Sequence, residues 1–188
     1  VKGAATLYTK EYFELVKAHL NPGGVVTQWV PLYESNEDAV KSEIATFLQV
    51  FPNGTVWGNL YNGEGYDVVL LGQAGNAPID LDAVQERMNR PDHMLVRRSL
   101  EEVNFFSVAD VLGTFAARGS DLAPWLKDAQ INRDRDLRLQ YLAGMTPDAY
   151  LGGPIYNQII AHRHYPEDLF TGSEARKQAL RAQLGGAR

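Results

Sequence analysis

Gly24-Val25-Val26-Thr27-Gln28-Trp29-Val30-Pro31 is the stretch whose reading decides the fold. It is short, β-branched and aromatic, opened by a glycine turn and closed by a proline, which predicts a strand. Its almost unbroken apolarity predicts cover on both faces, as in α/β sheets, rather than a half-exposed strand. Gln28 is the one amide within it.

Upstream, Leu7, Tyr8, Tyr12, Leu15, Val16 and Leu20 fall near a helical period, and Asn21-Pro22-Gly23-Gly24 supplies a stop. A first helix is therefore expected over 9–20. Downstream, Val40, Ile44, Phe47, Leu48 and Phe51 recur at threes and fours. That spacing predicts a second helix, with Ser35 as its cap and Glu37 and Asp38 near its positive end. Pro52-Asn53-Gly54 turns the chain, and Thr55-Val56-Trp57 and Tyr66-Asp67-Val68-Val69-Leu70-Leu71 read as two more strands. The polar loop between them, 59–65, carries Tyr61. Helix, buried strand, helix, strand, strand points to an α/β sheet with a hairpin at its edge.

From Gln73 onward no further strand is evident, and a boundary is expected near 73–78. Short helical patterns follow over 80–90, 136–142, 154–162 and 173–184. Ser99 with Glu102 matches a capping box, and Ser107 is placed to cap a segment running to Arg118. The expected organisation is an α/β unit over residues 1–75 and a helical extension over 76–188. Because the chain enters a helix signal almost at once from Val1, it is expected to begin inside a domain.

Among 188 residues, 18 Lys and Arg stand against 23 Asp and Glu, for a net charge of -5. Without a basic run this offers no electrostatic footprint for nucleic acid. The absence of cysteine excludes disulfides, thiolate chemistry and cysteine-based zinc sites. No apolar run reaches the roughly 18 residues of a spanning helix, so a cytoplasmic location is expected.

Few residues carry a chemical signature. Gly23-Gly24 precedes a strand instead of following one, and Gly63-x-Gly65 and Gly72-x-x-Gly75 lack the spacing of a phosphate loop. His162-Arg163-His164 has no acidic partner at metalloprotease spacing, so no metal site is expected. Asp134 and Asp136 alternate with Arg133 and Arg135, a pattern of solvated surface charge. Gln28 stands out, since an amide near the carboxyl end of a buried strand either bonds neighbouring backbone or lines the place where α/β sheets hold ligands. Tyr61 either covers a pocket with one hydroxyl to offer or is an exposed loop aromatic.

Four blocks in sequence carry a resemblance. They are Leu7-Tyr8-Thr9-Lys10-Glu11-Tyr12-Phe13, Leu20 through Trp29, Val50-Phe51-Pro52, and Tyr66 through Gly72. Together they resemble the carboxyl-terminal half of the spermidine synthase (polyamine aminopropyltransferase) catalytic domain, closest to bacterial spermidine synthase-like domains fused to transporter-like membrane segments. Ile131-Asn132-Arg133-Asp134-Arg135-Asp136, followed by Leu139-Gln140-Tyr141-Leu142, faintly resembles the family's tail. The resemblance implies part of a Rossmann-like sheet of the S-adenosylmethionine methyltransferase type. It also implies transfer of an aminopropyl group from decarboxylated S-adenosylmethionine, as co-substrate, to a small-molecule amine. It places Gln28 and Tyr61 in the amine pocket, matches Leu7 and Tyr8 to the leucine and aromatic after the catalytic motif, and makes Tyr8 the third substrate-binding residue.

The chain departs from typical members at Lys2-Gly3-Ala4, where they have Gly-Pro-Ala, and at Trp29 through Tyr33, which precede the next acid, Glu34. The resemblance puts the nucleoside-binding glycines and the catalytic aspartate before Val1. The chain alone is therefore expected to bind no cofactor, to be inactive, and to need a missing amino-terminal half or a second copy. Association with membrane segments of a parent protein is a further expectation, with location at the inner face of a membrane. A non-catalytic binding or assembly module and a methyltransferase are the alternatives.

Overall fold

The computed structural model describes residues 4–33, 35–61, 64–143 and 151–186, apart from the side chains of 61 and 186. The departures read at Lys2-Gly3 and at Glu34 lie outside these residues. By its internal contacts the chain forms two compact units, Val1–Asn76 with Ala116–His164, and Ala77–Phe115 with Tyr165–Arg188. Residues 76–188, read above as one extension, are thus shared between both units.

The first unit is built on a four-stranded antiparallel sheet of β1 (Val25–Pro31), β2 (Thr55–Tyr61), β3 (Glu64–Gln73) and β5 (Phe115–Arg118), in the order β1-β3-β2-β5. A 3₁₀ turn, Ala5–Tyr8, leads into α1 (Lys10–Ala18), whose cap is Thr9, its hydroxyl accepting from the Tyr12 amide. Helix α2 (Glu37–Val50) follows β1, and α6 (Arg138–Ala143) and α7 (Gly152–Ala161) complete the unit.

Register sorts the sheet into two unlike faces. Val26, Gln28 and Val30 of β1 stand opposite Gly72, Leu70 and Val68 of β3, and Val56 of β2 is also opposite Leu70. Val30, Val56, Val68 and Leu70 are buried in one core with Val40, Ile44 and Phe47 of α2. Tyr156 of α7 packs into the same core and lies against Gly58 and Gly65, where a Cβ would collide with its ring. The opposite face carries Val25, Thr27 and Trp29, all exposed. The strand expected to be covered on both sides is therefore covered on one, because the helices close only the face toward α2.

Other expectations are corrected. The β2–β3 hairpin is internal to the sheet, since β3 pairs with β1 and β5 continues the sheet beyond β2. The helix capped by Ser107 ends at Leu112, and Phe115–Arg118 is a strand. Ala116 and Ala117 have little intrinsic strand preference, so their buried setting overrides local propensity. Asn36, not Ser35, caps α2, its Oδ1 accepting from the Ala39 amide at 2.9 Å. Ser99 lies inside α4 (Met94–Glu102) rather than at its start.

A polar ring ties α2 to α7. Lys41 lies 2.8 Å from Glu37 and 3.2 Å from Asp128, with its ammonium 5.4 Å from the Trp125 ring centroid. Trp125 donates to Gln158 at 2.7 Å, and Gln158 donates back to Glu37 at 3.1 Å.

Asn132, fully buried, joins four segments. Its side-chain amide donates to the Ala5 carbonyl at 2.7 Å, and its Oδ1 accepts from the Leu139 amide at 3.0 Å. Its backbone donates to Thr46 Oγ1 at 2.9 Å and accepts from the Lys10 amide at 3.0 Å.

The second unit packs α3 (Leu81–Asn89), α4, α5 (Val108–Leu112) and α8 (Glu174–Gly186) with a two-residue parallel pair, β4 (Ile79–Asp80) and β6 (Phe170–Thr171). Asp80 caps α3, accepting from the Asp82 and Ala83 amides. Asp82 in turn accepts from Ser173 and Arg176, which fastens α8 to α3. Ser107 caps α5 in a reciprocal capping box with Asp110. No described helix is long and apolar enough to cross a membrane.

Replacing Asn132 with Leu leaves the Ala5 carbonyl and the Leu139 amide buried without partners, each costing about 1–3 kcal/mol. Denaturant unfolding should show a loss of about 2–6 kcal/mol, whereas Asp134→Ala, in the exposed charge run, should change stability by less than about 1 kcal/mol.

Candidate functional site

The carboxyl end of β1 brings Tyr8 and Gln28 together. Tyr8, delivered by the 3₁₀ turn, donates its phenol to the Trp29 carbonyl at 3.0 Å. Gln28 donates its amide to the same carbonyl at 3.3 Å. Two of the three residues assigned to an amine pocket are therefore adjacent. Tyr61 continues β2 opposite Glu64, and its side chain lies outside the described residues.

The next layer consists of residues that were not read from the sequence as functional. Trp29 Nε1 donates to Asp67 Oδ2 at 2.9 Å, and Asp67 is only 7% exposed. Tyr33 stacks on Tyr66 with ring centroids 4.4 Å apart, and Trp29 lies 6.2 Å from Tyr33. An available signal was the charged Asp67 set inside an otherwise apolar strand.

Glu43 is the second such residue. It falls on the inward face of α2 between Val40 and Phe47, is fully buried, and neither carboxyl oxygen has a hydrogen-bond partner among the described residues. Burial raises its pKa well above the usual carboxylate range, so the neutral acid is favoured. The Tyr8 phenol is pushed up to about 12, by burial first and by the nearby Glu43 carboxylate, where it ionises, second. The Tyr8 hydroxyl accordingly stays a donor at neutral pH. A carboxylate one helical turn from apolar neighbours, on their side of the helix, was the sequence signal.

The remaining candidates show no chemistry. His19 ends α1 with Nδ1 2.8 Å from the Leu15 carbonyl. Among the described residues no three His, Cys, Asp or Glu side chains converge. Arg133 and Asp134 meet Glu11, at 3.5 and 3.1 Å, which makes the charge run a clasp on α1. A depression of about 250 Å³ adjoins Lys17, Phe51 and Gln73, at the opposite end of β1. There the Lys17 ammonium is spent on the Val50 carbonyl at 2.7 Å.

Glu43 makes a testable contribution to pH dependence. Its folded pKa lies above its unfolded value, so the folded state holds the extra proton between the two. Stability is then full below the unfolded pKa and falls as pH rises toward the folded one. In thermal unfolding, Glu43→Gln should match the parent near pH 4 and exceed it at pH 8; equal differences at both pH values would refute the assignment.

No family model, curated protein or solved structure matches the chain.

Proposed function

We propose that the first unit is the amine-binding part of a spermidine synthase-like transferase. The complete protein would move an aminopropyl group from decarboxylated S-adenosylmethionine to an amine. The observation that carries this reading is the convergence of Tyr8 and Gln28 on the Trp29 carbonyl at the carboxyl end of β1, the end where α/β sheets hold ligands. Insertion of β3 between β1 and β2 also supports a Rossmann-like sheet of the methyltransferase type.

In the reaction the amine nitrogen forms a bond to the carbon beside the sulfonium, the carbon–sulfur bond breaks, and its electron pair leaves with sulfur as a neutral thioether. The amine must give up a proton to a base. Tyr8 and Gln28 contribute orientation. A phenol that stays protonated and a neutral amide can position an amine nitrogen without adding charge beside the sulfonium. The described residues assigned here all serve the amine side, and this chain alone is expected to be inactive.

The test uses the complete gene product with decarboxylated S-adenosylmethionine and a series of amines, with product masses read by mass spectrometry. Aminopropyl adducts are expected. Gln28→Ala should lower kcat/KM by roughly tenfold, the equivalent of one lost hydrogen bond. Methyl adducts would favour a methyltransferase, and neither product nor binding heat would favour an assembly module.

A further inference from the structure

The sheet face turned away from α2 bears a second pattern, separate from the Tyr8–Gln28 contact. Register sets three rows across β1, β3 and β2, namely Pro31–Asp67–Asn59, Trp29–Val69–Trp57 and Thr27–Leu71–Thr55. Trp29 is 44% exposed, and Val69, Leu71 and Trp57 are partly exposed. The face is thus an apolar shelf between two indoles, with a single carboxylate at one end. Asp67 is more than nine-tenths buried, and its one hydrogen bond comes from an uncharged indole. No cationic side chain pairs with it among the described residues. A buried carboxylate without a cation is costly, and an indole face beside it attracts a cation. An exposed apolar patch on a folded unit marks a binding surface.

We propose that this face is a binding site for a singly charged amphiphilic amine, its ammonium on Asp67 beside Trp29 and its hydrocarbon body along Val69, Leu71 and Trp57. The charge count limits the ligand to one cation, because a second ammonium would lie on the apolar shelf without a counterion. The site stands independently of aminopropyl transfer. An amine that binds there without being modified satisfies it, and loss of aminopropyl transfer leaves it standing.

The test titrates the chain with hexylammonium, 1-hexanol and 1,6-hexanediammonium, following tryptophan fluorescence. Trp57→Phe and Trp29→Phe assign the signal, since Trp125 is buried elsewhere in the unit. Hexylammonium should saturate, with the alcohol and the dication each weaker by roughly tenfold. Asp67→Asn should reduce hexylammonium to the level of the alcohol. Asn59→Lys, at an exposed position directly across from Asp67, supplies an internal ammonium and should abolish binding while raising Tm, so the proposal stays testable if Asp67→Asn does not fold. Equal binding of hexanol and hexylammonium, tighter binding of the dication, or undiminished binding by Asn59→Lys would each overturn it.

Discussion

The first unit depends on the burial of one amide. Asn132 has no solvent to satisfy it, so each of its polar groups must be met by protein, and the four partners come from four different segments. Its grip on Ala5 anchors the 3₁₀ turn whose last residue is Tyr8, and its bond to Thr46 ties that turn to α2. The Tyr8 phenol reaches the Trp29 carbonyl from a turn held in this way. A polar residue far along the chain thus positions the amino-terminal side of the candidate site.

The sheet shows what happens when helices cover only one side. Toward α2, Val30, Val56, Val68 and Leu70 are sealed, and even a carboxyl group, Glu43, is trapped there and favoured as the neutral acid. On the other side the strands keep an apolar surface in the open. The two faces therefore hold their acids differently. Glu43 has no solvent and, among the described residues, no partner, whereas Asp67 accepts from an indole at the margin of an exposed shelf. Burial penalises the Glu43 charge, so there the neutral acid is favoured.

Much of the architecture was legible. The 3.6-residue period of Val40, Ile44 and Phe47 marked α2, and the β-branched runs marked β1 and β3, because both patterns reflect which side chains leave water. Asp80 at the start of α3 and Ser107 at the start of α5 follow local capping chemistry. Strand β5 was not legible, since Ala116 and Ala117 carry no local preference for it and owe their state to the sheet they join. Of the site residues, Gln28 was visible as an amide in an apolar strand. Its nearness to Tyr8 was suggested only by the family resemblance, and the roles of Asp67 and Glu43 depend on what surrounds them.

By itself the sequence determined the helices and the strands β1 to β3 of the first unit, their order and the polar residues set against their apolar background, because these follow from periodicity and short-range backbone chemistry. Tertiary structure alone decided which face of β1 is covered, which strand lies between which, and which acids are buried. Those outcomes depend on contacts between residues far apart in the chain, such as Asn132 with Ala5 or Trp29 with Asp67, and no local pattern encodes them.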